Sequence, residues 1–139
     1  MKTKLSVMIM ICFSVVLFAQ KKDNMKNQID IKLVGSWKGE EDDQQIAGMH
    51  KSWIMHRTDD GKFLLLFVAV QDGKTTTFTE KGQWWVEDGK FYELHKADGK
   101  TDVYDYQVID KDHVKFKASQ MSLEQNNENY EFIDTRIEE

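Results

Sequence analysis

The sequence contains no proline and a single cysteine among its 139 residues. The absence of proline fits long uninterrupted hydrogen-bonded ladders. The cysteine, Cys12, falls inside an apolar N-terminal run. With that run removed on export, the mature chain has no disulfide framework, no thiolate nucleophile and no cysteine-based metal site. Positive charge is in deficit too, with 19 Lys and Arg against 24 Asp and Glu. No basic stripe gathers it, which argues against a nucleic-acid binder. No serine sits in a G-x-S-x-G elbow and no glycine-rich loop is built to cradle phosphate, so the common catalytic signatures are missing. No catalysis is expected.

The N-terminus reads as an address. Lys2 and Lys4 precede an apolar stretch from Leu5 to Phe18, and the small Ala19 then precedes polar Gln20-Lys21-Lys22-Asp23. This is the layout of a secretory signal peptide over 1–19, with cleavage expected after Ala19. A membrane anchor would need about 20 apolar residues, more than this stretch supplies. Lipidation at Cys12 is not expected, because Met10 and Ile11 stand where lipobox motifs carry a small residue. Loss of the leader takes the formal net charge from −5 to −7. The expectation is an acidic exported protein, periplasmic or secreted.

Beyond the leader lie a linker at 20–32 and a stretch at 33–139 of a size for one domain. One turn recurs through it: Asp60-Gly61, Asp72-Gly73, Asp88-Gly89 and Asp98-Gly99, each with lysine directly after it. Asp-Gly suits either a two-residue hairpin loop or a type I turn with the glycine in a bulge. Ile109-Asp110-Lys111-Asp112 reads as a fifth reversal. Between turns the patterns are those of strands. Val114, Phe116 and Ala118 alternate with His113, Lys115 and Lys117, whereas Phe63 to Val70 is apolar throughout. Counting predicts about eight strands, at 36–41, 48–58, 62–71, 74–87, 90–97, 101–109, 113–118 and 128–137. A hairpin meander of that length removes its two free edges by closing into a barrel. A short helix is expected before it, from the spacing of Met25, Ile29 and Leu33 with Asn24 as cap.

The first strand opens on Gly35-Ser36-Trp37, a G-x-W motif, and an arginine, Arg136, lies on the last. With the preceding turn of helix and the meander, the stretch from Leu33 to Ile137 resembles a bacterial lipocalin-like, calycin-type domain. The resemblance implies an all-β, eight-stranded antiparallel up-and-down barrel. It also implies that Arg136 packs over Trp37 as a structural plug beside Gly35. The chain is shorter than secreted lipocalins, without room for their C-terminal helix, and avidin-like barrels share the G-x-W opening. Gly35-Ser36-Trp37-Lys38-Gly39 is also similar to the start of the nitrobindin haem barrels, but the last strand offers no proximal histidine. No cofactor and no metal is expected.

An eight-stranded barrel is filled by its own side chains or holds one small ligand. Strand parity points inward Trp53, Met55, Phe63, Leu65, Phe67, Phe78, Trp84, Val86, Tyr104, Tyr106, Val114, Phe116 and Phe132. Trp53, Met55, Phe67, Phe78, Trp84, Tyr104, Tyr106 and Phe116 are the candidate ligand contacts, suited to a hydrophobic or flat aromatic molecule oriented by tyrosine hydroxyls. His50 and His56 share a strand face but lie roughly 20 Å apart, too far to chelate one metal. His95 and His113 stand alone in sequence, and a solvated position is expected for each histidine. Glu80 and Glu93 have inward parity and would form a general acid–base pair if buried, but surface placement is expected. Two functional classes remain. One is a carrier of a small hydrophobic or aromatic molecule. The other is a filled barrel that binds a protein or itself through the outward Leu64, Leu66 and Val68 of the 63–70 strand, close to Trp85 and covered by the N-terminal helix or by a second copy.

Overall fold

The computed structural model describes residues 27–123 and 127–138; the leader, Cys12, Asn24 and Met25 lie outside them. Eight strands run in order: β1 Gly35–Asp42, β2 Met49–Arg57, β3 Lys62–Gln71, β4 Lys74–Glu87, β5 Lys90–His95, β6 Thr101–Asp110, β7 His113–Gln120 and β8 Glu131–Arg136. Each pairs antiparallel with its neighbours in sequence, and β8 returns to β1, giving a closed up-and-down barrel. This architecture is consistent with a calycin-like fold.

The Asp-Gly turns divide into two kinds. Asp72 and Gly73 take φ of 52° and 71°, and Asp88 and Gly89 take 50° and 76°. Two successive positive φ values are the type I′ loop that matches strand twist. At 60–61 and 98–99 only the glycine is left-handed, and the loops are correspondingly longer. The β6–β7 reversal is the tight turn at 111–112.

The helix expected before the barrel is replaced by extended chain and one 3-10 turn. Gln28 forms an antiparallel bridge with Val86, and only Ile31–Leu33 turns, capped by Asp30, whose carboxylate accepts from the Lys32 N–H at 3.0 Å. Backbone pairing with β4 outweighs the periodicity of Ile29 and Leu33. The segment thereby closes the barrel end at which β1, β3, β5 and β7 begin, and Tyr106 secures it by donating to Asp30 at 3.0 Å.

Trp37 is fully buried at that closed end. Its indole N–H donates to the Leu33 carbonyl at 2.9 Å, and the Arg136 guanidinium lies 4.1 Å from its ring centroid. Arg136 also donates to three carbonyls, Lys111 from Nε at 2.9 Å, Val34 from Nη1 at 2.8 Å and Lys32 from Nη2 at 3.0 Å. A guanidinium over an indole contributes about 0.5–2 kcal/mol, and the planar fork makes the three carbonyl bonds geometrically compatible. Gly35 is required beneath it: its φ is +118°, and a Cβ there would lie 2.6 Å from Nη1 of Arg136.

Trp37→Ala removes a sealed ring from this plug and is expected to cost about 3–5 kcal/mol. Urea unfolding followed by circular dichroism measures it; an unchanged midpoint would show that the plug does not hold the barrel end.

Candidate functional site

Above the plug the barrel interior is not simply apolar. Arg57, at the end of β2, is 2% exposed, and Asp134 of β8 is 0% exposed. They form an ion pair at 2.6 Å, and the Trp53 indole N–H donates to the other Asp134 oxygen at 2.9 Å. The Arg57 Nε and Nη1 make no hydrogen bond and are sealed from solvent. They are held among rings instead, with the guanidinium carbon 5.0 Å from the Phe91 centroid, 5.1 Å from Phe116 and 5.9 Å from Trp37. The π faces supply part of what the missing acceptors would. A second buried pair joins Lys51 of β2 to Glu41 of β1 at 2.9 Å.

The third charged group centres on His95, the last residue of β5. Its Nδ1 lies 2.6 Å from Glu80, and its Nε2 lies 2.8 Å from Asp102 and 3.7 Å from Glu93. Burial works against charge on this imidazole, but the hydrogen bond to Asp102 and the fields of Glu93, Glu80 and Asp102 outweigh it and raise its pKa to about 9. With a carboxylate on each ring nitrogen, the imidazolium has no free nitrogen to act as a base. Glu93 behaves in the opposite sense: burial drives its pKa up to about 7, partly offset by His95 and Arg57. The surface placement expected for Glu80 and Glu93 and the solvated position expected for His95 are therefore corrected. Glu93 is buried at 8% exposure, and the other two are half-buried. All three conform to the inward parity of their strands. His50 and His56 lie on the outer wall of β2, paired with Asp42 at 2.7 Å and Ser36 at 2.9 Å. Among the described residues no group of three His, Cys, Asp or Glu side chains is arranged to hold a metal ion.

Between these charged groups lies a cavity of about 80 Å³. Trp53, Met55, Phe67, Tyr104, Leu65 and Phe132 supply its apolar wall; Arg57, Glu93, Tyr130 and Asp134 supply the polar one. Gly39 makes room for Trp53, whose indole occupies the space a Cβ on that glycine would need. Four of the eight candidate contacts, Trp53, Met55, Phe67 and Tyr104, thus line one space. The others lie elsewhere. Trp84 and Phe116 are sealed in the floor at 1% and 0% exposure, and Tyr106 is committed to Asp30. Phe78, expected inside, is 46% exposed. It faces inward by parity, but β5 pairs with β4 only from Gly82 onward, so Phe78 stands where β4 has β3 on one side and no strand on the other. There it stacks on Phe67 with centroids 4.8 Å apart.

On the outer wall Leu64 and Leu66 are 48% and 39% exposed and have no cover among the described residues. Leu64 lies opposite Lys81, while Trp85, expected beside it, stacks instead on Tyr92 at 5.3 Å. Ile54, opposite Leu66, and Ile133 across the β1–β8 seam extend this face. A groove of about 780 Å³ runs along it past Lys38, Lys115 and Glu131.

The buried titrations fix a pH dependence. Glu93 moves from 4.5 to about 7 on folding and His95 from 6.5 to about 9. Both raised values mean that the folded state binds more protons than the unfolded state between them, so stability falls as pH rises. Glu93 contributes the fall from 4.5 to 7, and His95 the fall from 6.5 to 9. The melting temperature is expected to decline from pH 7 to pH 9, and His95→Gln to flatten that decline. A wild-type melting temperature that is level or rising across this interval would contradict the His95 cluster.

No protein-family model matches the sequence, and no curated protein matches it.

Proposed function

We propose that this chain is an exported, lipocalin-like binding protein whose barrel takes a small molecule with an apolar or aromatic body and a polar end. The observation that carries this reading is the cavity above the plug, where rings and uncommitted polar side chains share one space. Trp53, Phe67 and Phe132 offer flat apolar surface, while Glu93, Tyr104 and Tyr130 make no side-chain hydrogen bond among the described residues and face the same cavity. Ligand sites combine apolar walls with a few converging polar groups in this way. The volume decides how much of a ligand enters. About 80 Å³ is far below the roughly 300–1,000 Å³ of a whole drug-sized ligand. Only one end of the molecule is enclosed, and the remainder lies against Phe67 and Phe78 at the rim. The reading is of binding without catalysis, since the imidazole nearest the cavity is occupied at both nitrogens.

Protein isolated from its native source is expected to release a stoichiometric small molecule on denaturation, detected by mass spectrometry. Leu65→Phe fills the cavity and is expected to abolish that release while leaving the circular dichroism spectrum unchanged. Equal release from the variant, or none from the wild type, would remove the cavity as the binding site.

A second reading is favoured by the outer wall. Ile54, Leu64, Leu66 and Ile133 form an exposed apolar face on strands whose inner faces are already buried, and such a face marks a contact surface. A second copy of the chain, related by a two-fold axis, would cover it. Leu66→Glu is expected to convert a dimer to monomer in sedimentation without loss of strand content. A monomeric wild type would eliminate this reading and leave the cavity.

A further inference from the structure

We infer that the polar end of the bound molecule is a primary ammonium group, received by the Glu93 carboxylate within the ring-lined cavity. The inference rests on the small-molecule reading of the cavity given above, and on the pairing of every other buried charge around that space. Arg57 is neutralised by Asp134 at 2.6 Å, and Lys51 by Glu41 at 2.9 Å. His95 is held by Glu80 at 2.6 Å and Asp102 at 2.8 Å, so both its nitrogens are taken before Glu93, at 3.7 Å, is reached. Three cations therefore face five carboxylates, and the fifth is Glu93. It is 8% exposed and has no hydrogen-bond partner among the described residues, yet its carboxylate lines the cavity. A buried carboxylate without a hydrogen-bond donor is costly, and a cation brought by a ligand relieves that cost.

The same geometry disfavours an anion. The one guanidinium at the cavity, Arg57, has its uncommitted Nε and Nη1 sealed from solvent, so it presents no free donor there. The surrounding field is negative as well: burial first, and then Glu93 and neighbouring carboxylates, hold the Tyr104 and Tyr130 phenols well above their ordinary pKa. The rings add to the preference. Lys51 already rests its ammonium 5.5 Å from the Tyr130 centroid, showing that this wall accepts a cation. Trp53, Phe67 and Phe132 offer further ring surface to an ammonium or to the carbon atoms behind it. A volume of about 80 Å³ admits the ammonium and a few carbons, leaving a larger body at the rim.

The test uses three probes of one shape: benzylammonium, benzyl alcohol and benzoate, titrated calorimetrically against the full mature protein. Benzylammonium is expected to bind about tenfold or more tightly than benzyl alcohol, as a charge-assisted hydrogen bond implies, and benzoate not to bind measurably. Glu93→Gln keeps the volume and is expected to erase the preference for the amine over the alcohol. Equal binding of amine and alcohol by the wild type would overturn the ammonium assignment while leaving the cavity as a ligand site. Preferred binding of benzoate would overturn the assignment in favour of an anion. Persistence of the amine preference in Glu93→Gln would overturn the role of Glu93. If none of the three probes bound, the small-molecule reading and this inference would fall together.

Discussion

The last strand meets the first through only two residue pairs, Trp37 with Arg136 and Lys38 with Thr135, whereas β3 and β4 share ten. Backbone ladders alone would leave this seam the weakest part of the wall, and side chains make up the difference at three levels. At the closed end Arg136 reaches from β8 to the Lys32 and Val34 carbonyls and covers Trp37. In the middle, Arg57 and Trp53 of β2 reach past β1 and hold Asp134 of β8 from inside. Near the open end the Gln44 side-chain amide stands in for a strand. It donates to the Glu131 carbonyl at 2.7 Å and accepts the Glu131 N–H at 2.9 Å. The closure of the barrel, and with it the existence of an interior, depends on these contacts.

Closing a barrel with Asp134 places a charge at a fully buried position. A buried ion pair recovers its desolvation cost only when its geometry is good and its remaining valences are satisfied. Asp134 meets that condition, with Arg57 on one oxygen and Trp53 on the other. Arg57 meets it through three aromatic rings rather than through acceptors. The cluster therefore contributes less through net attraction than through specificity. Removing Arg57 or Asp134 would leave the other charge buried alone, and removing Trp53 would leave an Asp134 oxygen without its donor, so only the observed register of β8 against β2 satisfies all of them. The aromatic floor at Phe91 and Phe116 serves at once as apolar core and as the lining for a cation.

The strand plan is legible in the sequence because its punctuation is local. Asp-Gly pairs dictate reversals within a few residues, and apolar alternation between them leaves few ways to place a ladder. The turn type is not legible, since the same dipeptide makes a type I′ loop at 72–73 and a bulged turn at 60–61; the flanking ladder decides. The helical spacing of Ile29 and Leu33 misleads, because Gln28 gains a backbone partner in Val86 that no local pattern announces. The buried charges are harder still. Glu41, Lys51, Arg57, Glu93 and Asp134 each share inward parity with an aromatic or apolar neighbour on the same strand. Parity is thus a usable signal, overridden by the general rule that charged residues face water. That rule omits pairing between strands far apart in sequence, such as Arg57 with Asp134.

The seam and the cavity are not separate devices. Trp53 holds Asp134 through its indole N–H, forms a wall of the cavity, and packs edge-on against Phe132 at 4.8 Å. Its position depends in turn on Gly39 of β1, where any side chain would displace the indole. Anything that presses on the cavity side of Trp53 therefore acts on the Asp134 contact and on the fit between β8 and β1. At the rim β3 stays laddered to β2 as far as Gln71, while β4 has no strand partner on its β5 side before Gly82, so the β4 edge carrying Phe78 is the part of the wall least tied to the floor. A paired charged base, one tryptophan shared between wall and seam, and a β4 edge left open before Gly82 thus tie the shape of the interior to the closure of the barrel.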